Sequence, residues 1–311
     1  MVIKKDVDLG KISWLTTTSG QIDIFYEPET VTELIELCKR LHQQHEAFDL
    51  VGHTSNIYYV PGYHVGTMVS TRKINGFQEE KDCIVCECGA SVKRLSHFMV
   101  NKGIRGFEGL VDLPGTIGAA IYGNAGCYGC SISGLLEKAE VLSEDGEIIE
   151  VGQDWFSFDE RSSSLKRKEK NGIILRVYLK KEIGELDTLI KVANKNHETR
   201  KVTQPGPQNS LGSIFLDGAK PSFEGKILFF ISNVYFKLLI WLRVNSSRIQ
   251  EKVLSLQLFL LCANKLKPYL RTWNWWQWKD KDSHELFWEY VHLRNRLYSN
   301  SEFEIEIKKT N

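Results

Sequence analysis

Two stretches of this chain are suited to bring main chain, in place of side chains, against a partner. In "GFEGLVDLPGTIGAAIYGNAGCYG", Gly106 to Gly129, seven glycines and one proline fall within twenty-four residues, and a shorter turn reads "VGHTSN", Val51 to Asn56. Bare backbone approaches a flat or charged ligand closely, adopts positive φ, and can aim several N–H groups at phosphate oxygens. Spacing alone leaves two readings open: a pair of pyrophosphate turns, or tight packing of chain on chain. "GTIGAA" lacks the G-x-G-x-x-G spacing and its preceding strand, and the lysine and hydroxyl of a P-loop are absent.

The seven cysteines pose a second chemical question. "CIVCEC" (Cys83, Cys86, Cys88) and "CYGC" (Cys127, Cys130) could together supply four thiolates to zinc or an iron-sulfur cluster. Against that, "DCIVCECGASV" alternates like a half-buried strand, which sends Cys83 to one face and Cys86 and Cys88 to the other. Reduced thiols and no metal are the expectation. An odd cysteine count and an N-terminus without an apolar signal core argue against a disulfide framework and for the cytoplasm.

The elements that must hold these residues are legible in part. "PETVTELIELCKRLHQQ" opens with a capping box, Thr30 and Glu33, and continues with Leu34, Leu37, Cys38 and Leu41 on one face, which predicts a helix. "AFDLVGHTSNIYYV" reads as strand, polar turn and strand. "KAEVLSEDGEIIEV" predicts a hairpin about Asp145-Gly146, with Val141 and Leu142 facing Ile148 and Ile149. "GIILRVYLKKE" supplies another strand, and short strands with few helices up to residue 183 give an α+β class without alternating βαβ units. A helix over "DTLIKVANKNHETR" then leads to the loop "KVTQPGPQNSLGSIF", a boundary.

The last ninety residues differ in character. "ILFFISNVYFKLLIWL" is intensely apolar, and five of the eight tryptophans fall between Trp273 and Trp288, where indoles fill cores or stack on sugars. Residues 227–242 carry Ser232, Asn233 and Lys237 and fall short of a membrane span. A buried helix is expected there, with peripheral contact on a membrane surface, flanked by Lys226 and Arg243, as the alternative. With 311 residues, 25% charged and a formal net charge of +1, the chain is globular and offers no field for a nucleic acid.

The order of segments resembles the UDP-N-acetylenolpyruvoylglucosamine reductase (UDP-N-acetylmuramate dehydrogenase) family of peptidoglycan precursor synthesis. "VGHTSNIYYV" stands where the family has a G-G-G-S-N loop, and the Gly106 to Gly129 stretch is close to its G-L-E-x-L-x-x-I-P-G-T-V-G-A-x-x-x-N-x-G-A-Y-G. "ERSSSLK" follows for Y-R-D-S-x-F-K, "NSLGSIF" for x-A-G-S-F-F, and "SEFEIEI" for L-E-x-E-I-x-I. The resemblance implies a two-subdomain FAD-binding domain of the vanillyl-alcohol-oxidase (PCMH) type over residues 1–70 and 71–183. A smaller, divergent α+β substrate domain over 184–311 would follow.

It further implies noncovalent FAD held by Gly52, His53, Thr54, Ser55, Asn56, Pro114, Gly115, Thr116, Gly118, Asn124 and Gly126, with NADPH as transient reductant and a nucleotide-sugar as substrate. Arg161 matches the arginine that would meet the substrate carboxylate, Ser213 the proton donor, and Glu304 the acidic partner. Each has an ordinary reading as well: a solvated arginine, a serine that turns a loop, an exposed acid on an edge-like strand.

The pattern also breaks. After its serine the family continues F-F-K-N-P, whereas this chain reads Ile214, Phe215, Leu216, Asp217, Gly218, and an acid beside a diphosphate repels it. The family's third-subdomain glycine-rich segment is replaced by the apolar run and the tryptophans. Three functions therefore stand: the enolpyruvyl reductase, a flavin oxidoreductase acting on another sugar- or lipid-linked substrate, and a flavin-binding protein without turnover.

Overall fold

Thr30 opens the first helix as the spacing predicts: its hydroxyl accepts from the Glu33 N–H at 3.2 Å, and Glu33 reaches back to the Glu29 N–H at 2.8 Å. The helix, Val31–Gln43, buries Val31, Leu34, Leu37, Cys38 and Leu41. In the computed structural model, which describes residues 1–203, 209–244 and 246–310, it connects two strands of a four-stranded sheet. Residues 204–208 of the proline- and glycine-rich loop taken as a boundary lie outside the described residues.

The spatial order of that sheet is Val2–Asp8, Gly20–Glu27, Tyr63–Ser70, Asp49–Val51. The first strand runs antiparallel to the second; the other pairings are parallel. One β-α-β crossover therefore sits inside an otherwise α+β molecule, because a helix of this length lets the chain return in the same direction. Its consequence is functional: Val51 and Ser70 end side by side, and both loops leave from the same edge.

A second sheet is antiparallel throughout, in the order Ile148–Gly152, Leu136–Leu142, Ile173–Lys180, Cys83–Glu87, Phe77–Glu79. The predicted hairpin forms in the predicted register, Val141 opposite Ile149 and Leu142 opposite Ile148, with Gly146 at φ +78°. Cys86 and Cys88 are buried in the core beneath, while Cys83 stays at its margin. The helices Val92–Asn101 and Leu186–Thr203 pack on this unit.

The C-terminal part is mostly helical, with helices Phe223–Trp241, Ser246–Leu260 and Asp282–Leu297. Four of the five clustered tryptophans go inward in whole or part: Trp276 and Trp278 are fully buried and Trp273 nearly so, joined by Phe287, Tyr290 and, from the first unit, Leu15 and Tyr58. The apolar helix Phe223–Trp241 departs from expectation. Only Gly225, Leu228, Ser232 and Leu239 are buried, and much of its apolar surface faces solvent. Being apolar on every side, it gave no periodicity from which a buried face could be read. Among the described residues no helix is long and apolar enough to cross a membrane. The chain ends by returning to the first unit, where Glu306–Lys308 pairs in parallel with Ile57–Tyr59.

Candidate active site

The carboxyl ends of parallel strands are where open sheets bind ligands. There, after Val51, the chain turns through Gly52, His53, Thr54, Ser55 and Asn56. Arg72, just beyond the neighbouring strand, donates through Nε to the Gly52 carbonyl at 2.9 Å and through Nη2 to the Ile12 carbonyl. Thr54 sits at φ +56°; its hydroxyl accepts from the Trp14 N–H at 2.8 Å and its carbonyl from the Ile57 N–H at 3.2 Å. Asn56 ties the turn to the C-terminus, donating from Nδ2 to the Glu304 carbonyl at 3.2 Å and accepting from the Glu306 N–H at 2.9 Å.

The long glycine-rich stretch lies against this turn. A Cβ at Gly52 would overlap the Thr116 hydroxyl, and one at Gly115 would stand 3.5 Å from Ser55 Oγ. Gly115, after Pro114, has φ +125°, which a side chain rarely adopts. Thr116 caps the helix Ile117–Tyr122 by accepting from the Ala119 N–H at 3.4 Å. Gly118 and Gly126 answer another need: a Cβ would press on Cys88 in the first case and on the Cys130 carbonyl in the second. At Gly52, Gly118 and Gly126, then, the neighbour that excludes a side chain is the protein's own chain. Gly52→Ala is accordingly expected to force the two loops apart at a cost of about 1–3 kcal/mol, seen as a lowered melting temperature; unchanged stability would show that Thr116 simply yields.

The fit for a dinucleotide lies in what the loops leave unpaired. Among the described residues, no hydrogen bond uses the main-chain N–H of His53, Thr54, Ser55, Asn56 or Gly115. Asn124, at φ +43°, donates from Nδ2 to the Asp159 carbonyl at 2.8 Å, yet its buried Oδ1 has no partner among the described residues. A run of unpaired N–H groups beside the Arg72 guanidinium suits phosphate oxygens, so these residues fit the pyrophosphate of FAD. Burial and the Arg72 charge hold the His53 imidazole below its ordinary pKa, and the Gly115 main chain opposes them.

The three side chains with expected chemistry come from distant segments. Arg161, at φ +50°, pairs through Nε with Glu304 Oε1 at 2.9 Å. Its loop is fastened to the glycine-rich stretch by Ser163, whose hydroxyl donates to the Tyr122 carbonyl at 2.6 Å. Ser213 is half-buried, and the carbonyl of the next residue, Ile214, accepts from the Glu304 N–H at 2.9 Å. Arg161 and Glu304 thus meet, and Ser213 is held on the segment paired with Glu304. Burial raises the Glu304 carboxyl above its usual range; Arg161 and Lys166 oppose this, Asp217 and Glu160 add to it.

Sequence reasoning assigned nothing to Arg72, Lys166 or Glu306. Lys166, the last residue of "ERSSSLK", donates to the Arg161 carbonyl at 3.0 Å and acts electrostatically on both glutamates. Only its place in that motif signalled it. The Glu306 carboxyl is likewise raised by burial, with Lys166 and Lys308 opposing and Asp49 adding. A carboxyl raised in the folded state contributes stability below its unfolded pKa that is lost as pH climbs through the folded value. Glu306→Gln should therefore gain on the wild type in melting temperature as pH rises from acid toward neutral; a pH-independent difference would mean that the carboxyl titrates normally.

Beyond Glu304 opens a groove of about 550 Å³ lined by Glu160, Leu216, Asp217, Lys220, Lys226 and Glu302 among others. Three carboxylates and two lysines make its lining mixed in charge.

Paired sheets and two facing glycine-rich turns make a fold of the vanillyl-alcohol-oxidase (PCMH) type, and residues 22–152 match the FAD binding domain. Within that class the chain is similar to proteins named UDP-N-acetylenolpyruvoylglucosamine reductase. It is 32% identical over 205 residues to the reductase of Caldicellulosiruptor saccharolyticus, covering 65% of this chain and 64% of that protein. It is 29% identical over 230 residues to that of Listeria monocytogenes, covering 73% and 75%. The match thus spans just under two thirds of the Caldicellulosiruptor protein's length. The fold continues further: the Thermus caldophilus UDP-N-acetylenolpyruvylglucosamine reductase superposes with a TM-score of 0.70 at 19% identity over 99% of each chain.

Proposed function

We propose that the chain is an FAD-dependent reductase of an enolpyruvyl nucleotide-sugar, converting UDP-N-acetylenolpyruvoylglucosamine to UDP-N-acetylmuramate in the cytoplasm with NADPH as the electron source. The observation that carries this reading is the Arg161–Glu304 pair at 2.9 Å, beside loops fit for a dinucleotide. Noncovalent FAD, held by residues 52–56, 114–118, Asn124 and Gly126, would supply the hydride chemistry.

The chain's own groups then have separate tasks. Arg161 orients the substrate carboxylate and offsets the charge that builds on it, since a guanidinium stays protonated and forks onto two oxygens. Ser213 delivers a proton from Oγ to the carbon beside that carboxylate. Glu304 fixes the guanidinium by pairing with its Nε at 2.9 Å. Arg72 places a positive charge at the pyrophosphate turn. Purified chain with FAD should oxidise NADPH beyond one equivalent per flavin only when the enolpyruvyl nucleotide-sugar is present.

The groove favours a second reading. It carries Asp217, Glu160 and Glu302 beside Lys220 and Lys226, and that excess of carboxylates over cations suits an FAD oxidoreductase acting on another sugar- or lipid-linked substrate better than one gripping a diphosphate there. Flavin reduction by NADPH without enolpyruvyl turnover would select it, and bound flavin with no turnover on any acceptor would mark a flavin-binding protein without catalysis.

A further inference from the structure

Soluble helices turn an apolar stripe inward; the helix Phe223–Trp241 turns one outward as well. Advancing by 3.6 residues per turn, Phe223, Ile227, Phe230, Val234, Leu238 and Trp241 fall on one side. All six are exposed, Phe223 at 81%, Trp241 at 77% and Phe230 at 71%. The adjoining helix Ser246–Leu260, held to it by Gln257 Nε2 donating to Ser232 Oγ at 3.0 Å, extends the surface with Phe259, 64% exposed. Monomeric proteins seldom present so continuous an apolar face without a partner.

Charge says which partner. Residues 223–272 hold eight lysines and arginines against two glutamates, in a chain whose net charge is only +1. Lys226 and Lys237 border the stripe, and Arg243, Arg248 and Lys252 follow in the turn and the next helix; all five are exposed. A second copy seated on this face by two-fold symmetry would set these cations against their own images, an unfavourable arrangement. An anionic bilayer meets both features at once: its acyl boundary takes the aromatic and aliphatic stripe, and its phosphates take the flanking ammonium and guanidinium groups.

We propose that the hairpin of helices Phe223–Trp241 and Ser246–Leu260 docks flat on an anionic lipid surface through this stripe. Trp241, at the helix end, sits at the headgroup level that indoles prefer. The contact is peripheral, since among the described residues no helix can cross a bilayer. It is independent of which substrate the flavin site takes.

The full chain, with FAD, is tested by co-sedimentation with vesicles of phosphatidylcholine containing roughly one third phosphatidylglycerol, a surface on which clustered basic residues gain affinity. Binding is expected there and should fall about tenfold or more on phosphatidylcholine alone, or in Lys237→Glu/Arg243→Glu. Phe230→Glu/Val234→Glu should abolish it while leaving the melting temperature unchanged, because both side chains face solvent. Wild-type protein that stays in the supernatant overturns the proposal, and so does a dimer in light scattering that the Phe230→Glu/Val234→Glu variant dissociates. Vesicle binding equal to wild type in both double variants overturns it as well.

Discussion

Ser213→Ala is expected to leave the reduction of bound flavin by NADPH fast and to slow the following step, transfer to the enolpyruvyl substrate, by about 10²–10⁴-fold, the usual contribution of a positioned proton donor. Ile214 accepts from the Glu304 N–H at 2.9 Å, Asn274 fastens the same segment by donating to the Phe215 carbonyl at 2.9 Å, and Ser213 bridges to Trp275. The serine therefore rides on a firmly held segment, and removing Oγ should not move the main chain. The side chain is only half-buried, so alanine costs the fold little. Stopped-flow absorbance of the flavin separates the two half-reactions. Equal slowing of both would show that Ser213 acts on the site's shape and not as a proton source.

Local signals in the sequence told the local structure. The Thr30 cap, the Asp145-Gly146 hairpin with its register, and the sorting of Cys86 and Cys88 from Cys83 all follow from rules that operate within a few residues. The pairing of Arg161 with Glu304 does not. Physics assigns an arginine in a basic loop and a glutamate on an edge to solvent, and only the family resemblance singled them out. Arg72 escaped for the same reason, since its contact with the Gly52 carbonyl leaves no trace in spacing, whereas Lys166 bonds the Arg161 carbonyl within one loop, where a lysine reads as solvated.

The glycines carry a more particular lesson. Their density pointed to a close partner, and at Gly52, Gly118 and Gly126 that partner is protein, while the unpaired N–H groups of residues 53–56 and Gly115 are what suit a phosphate. Composition cannot distinguish these cases because both demand the same missing Cβ. The chain as a whole shows the converse. Identity to the Thermus caldophilus protein is only 19%, yet superposition covers 99% of each chain. A core keeps its outline when pattern and total volume are kept, even after most side chains have changed.

The C-terminal core is where the second large effect is expected. Trp276 is fully buried, stacked on Tyr290 at 5.0 Å and on Tyr269 at 5.4 Å, with Phe287 at its edge at 5.9 Å. Among the described residues its indole Nε1 has no hydrogen-bond partner, so its contribution is packing. Trp276→Ala should cost about 3–5 kcal/mol and lower the melting temperature by roughly 10 °C; Trp276→Phe, which keeps a ring and removes an unsatisfied N–H, should cost far less. The loss should reach the flavin loops. Tyr58 lies in the same core, 5.3 Å from Trp278 and 4.9 Å from Phe287, and belongs to the strand that leaves Asn56 and pairs with Glu306–Lys308. If the aromatic cluster holds that strand, FAD affinity measured by titration should fall along with stability in the alanine variant and recover in the phenylalanine one. A variant that melts early yet binds FAD as tightly as the wild type would show that the flavin turns stand on the first two sheets without help from the C-terminal core.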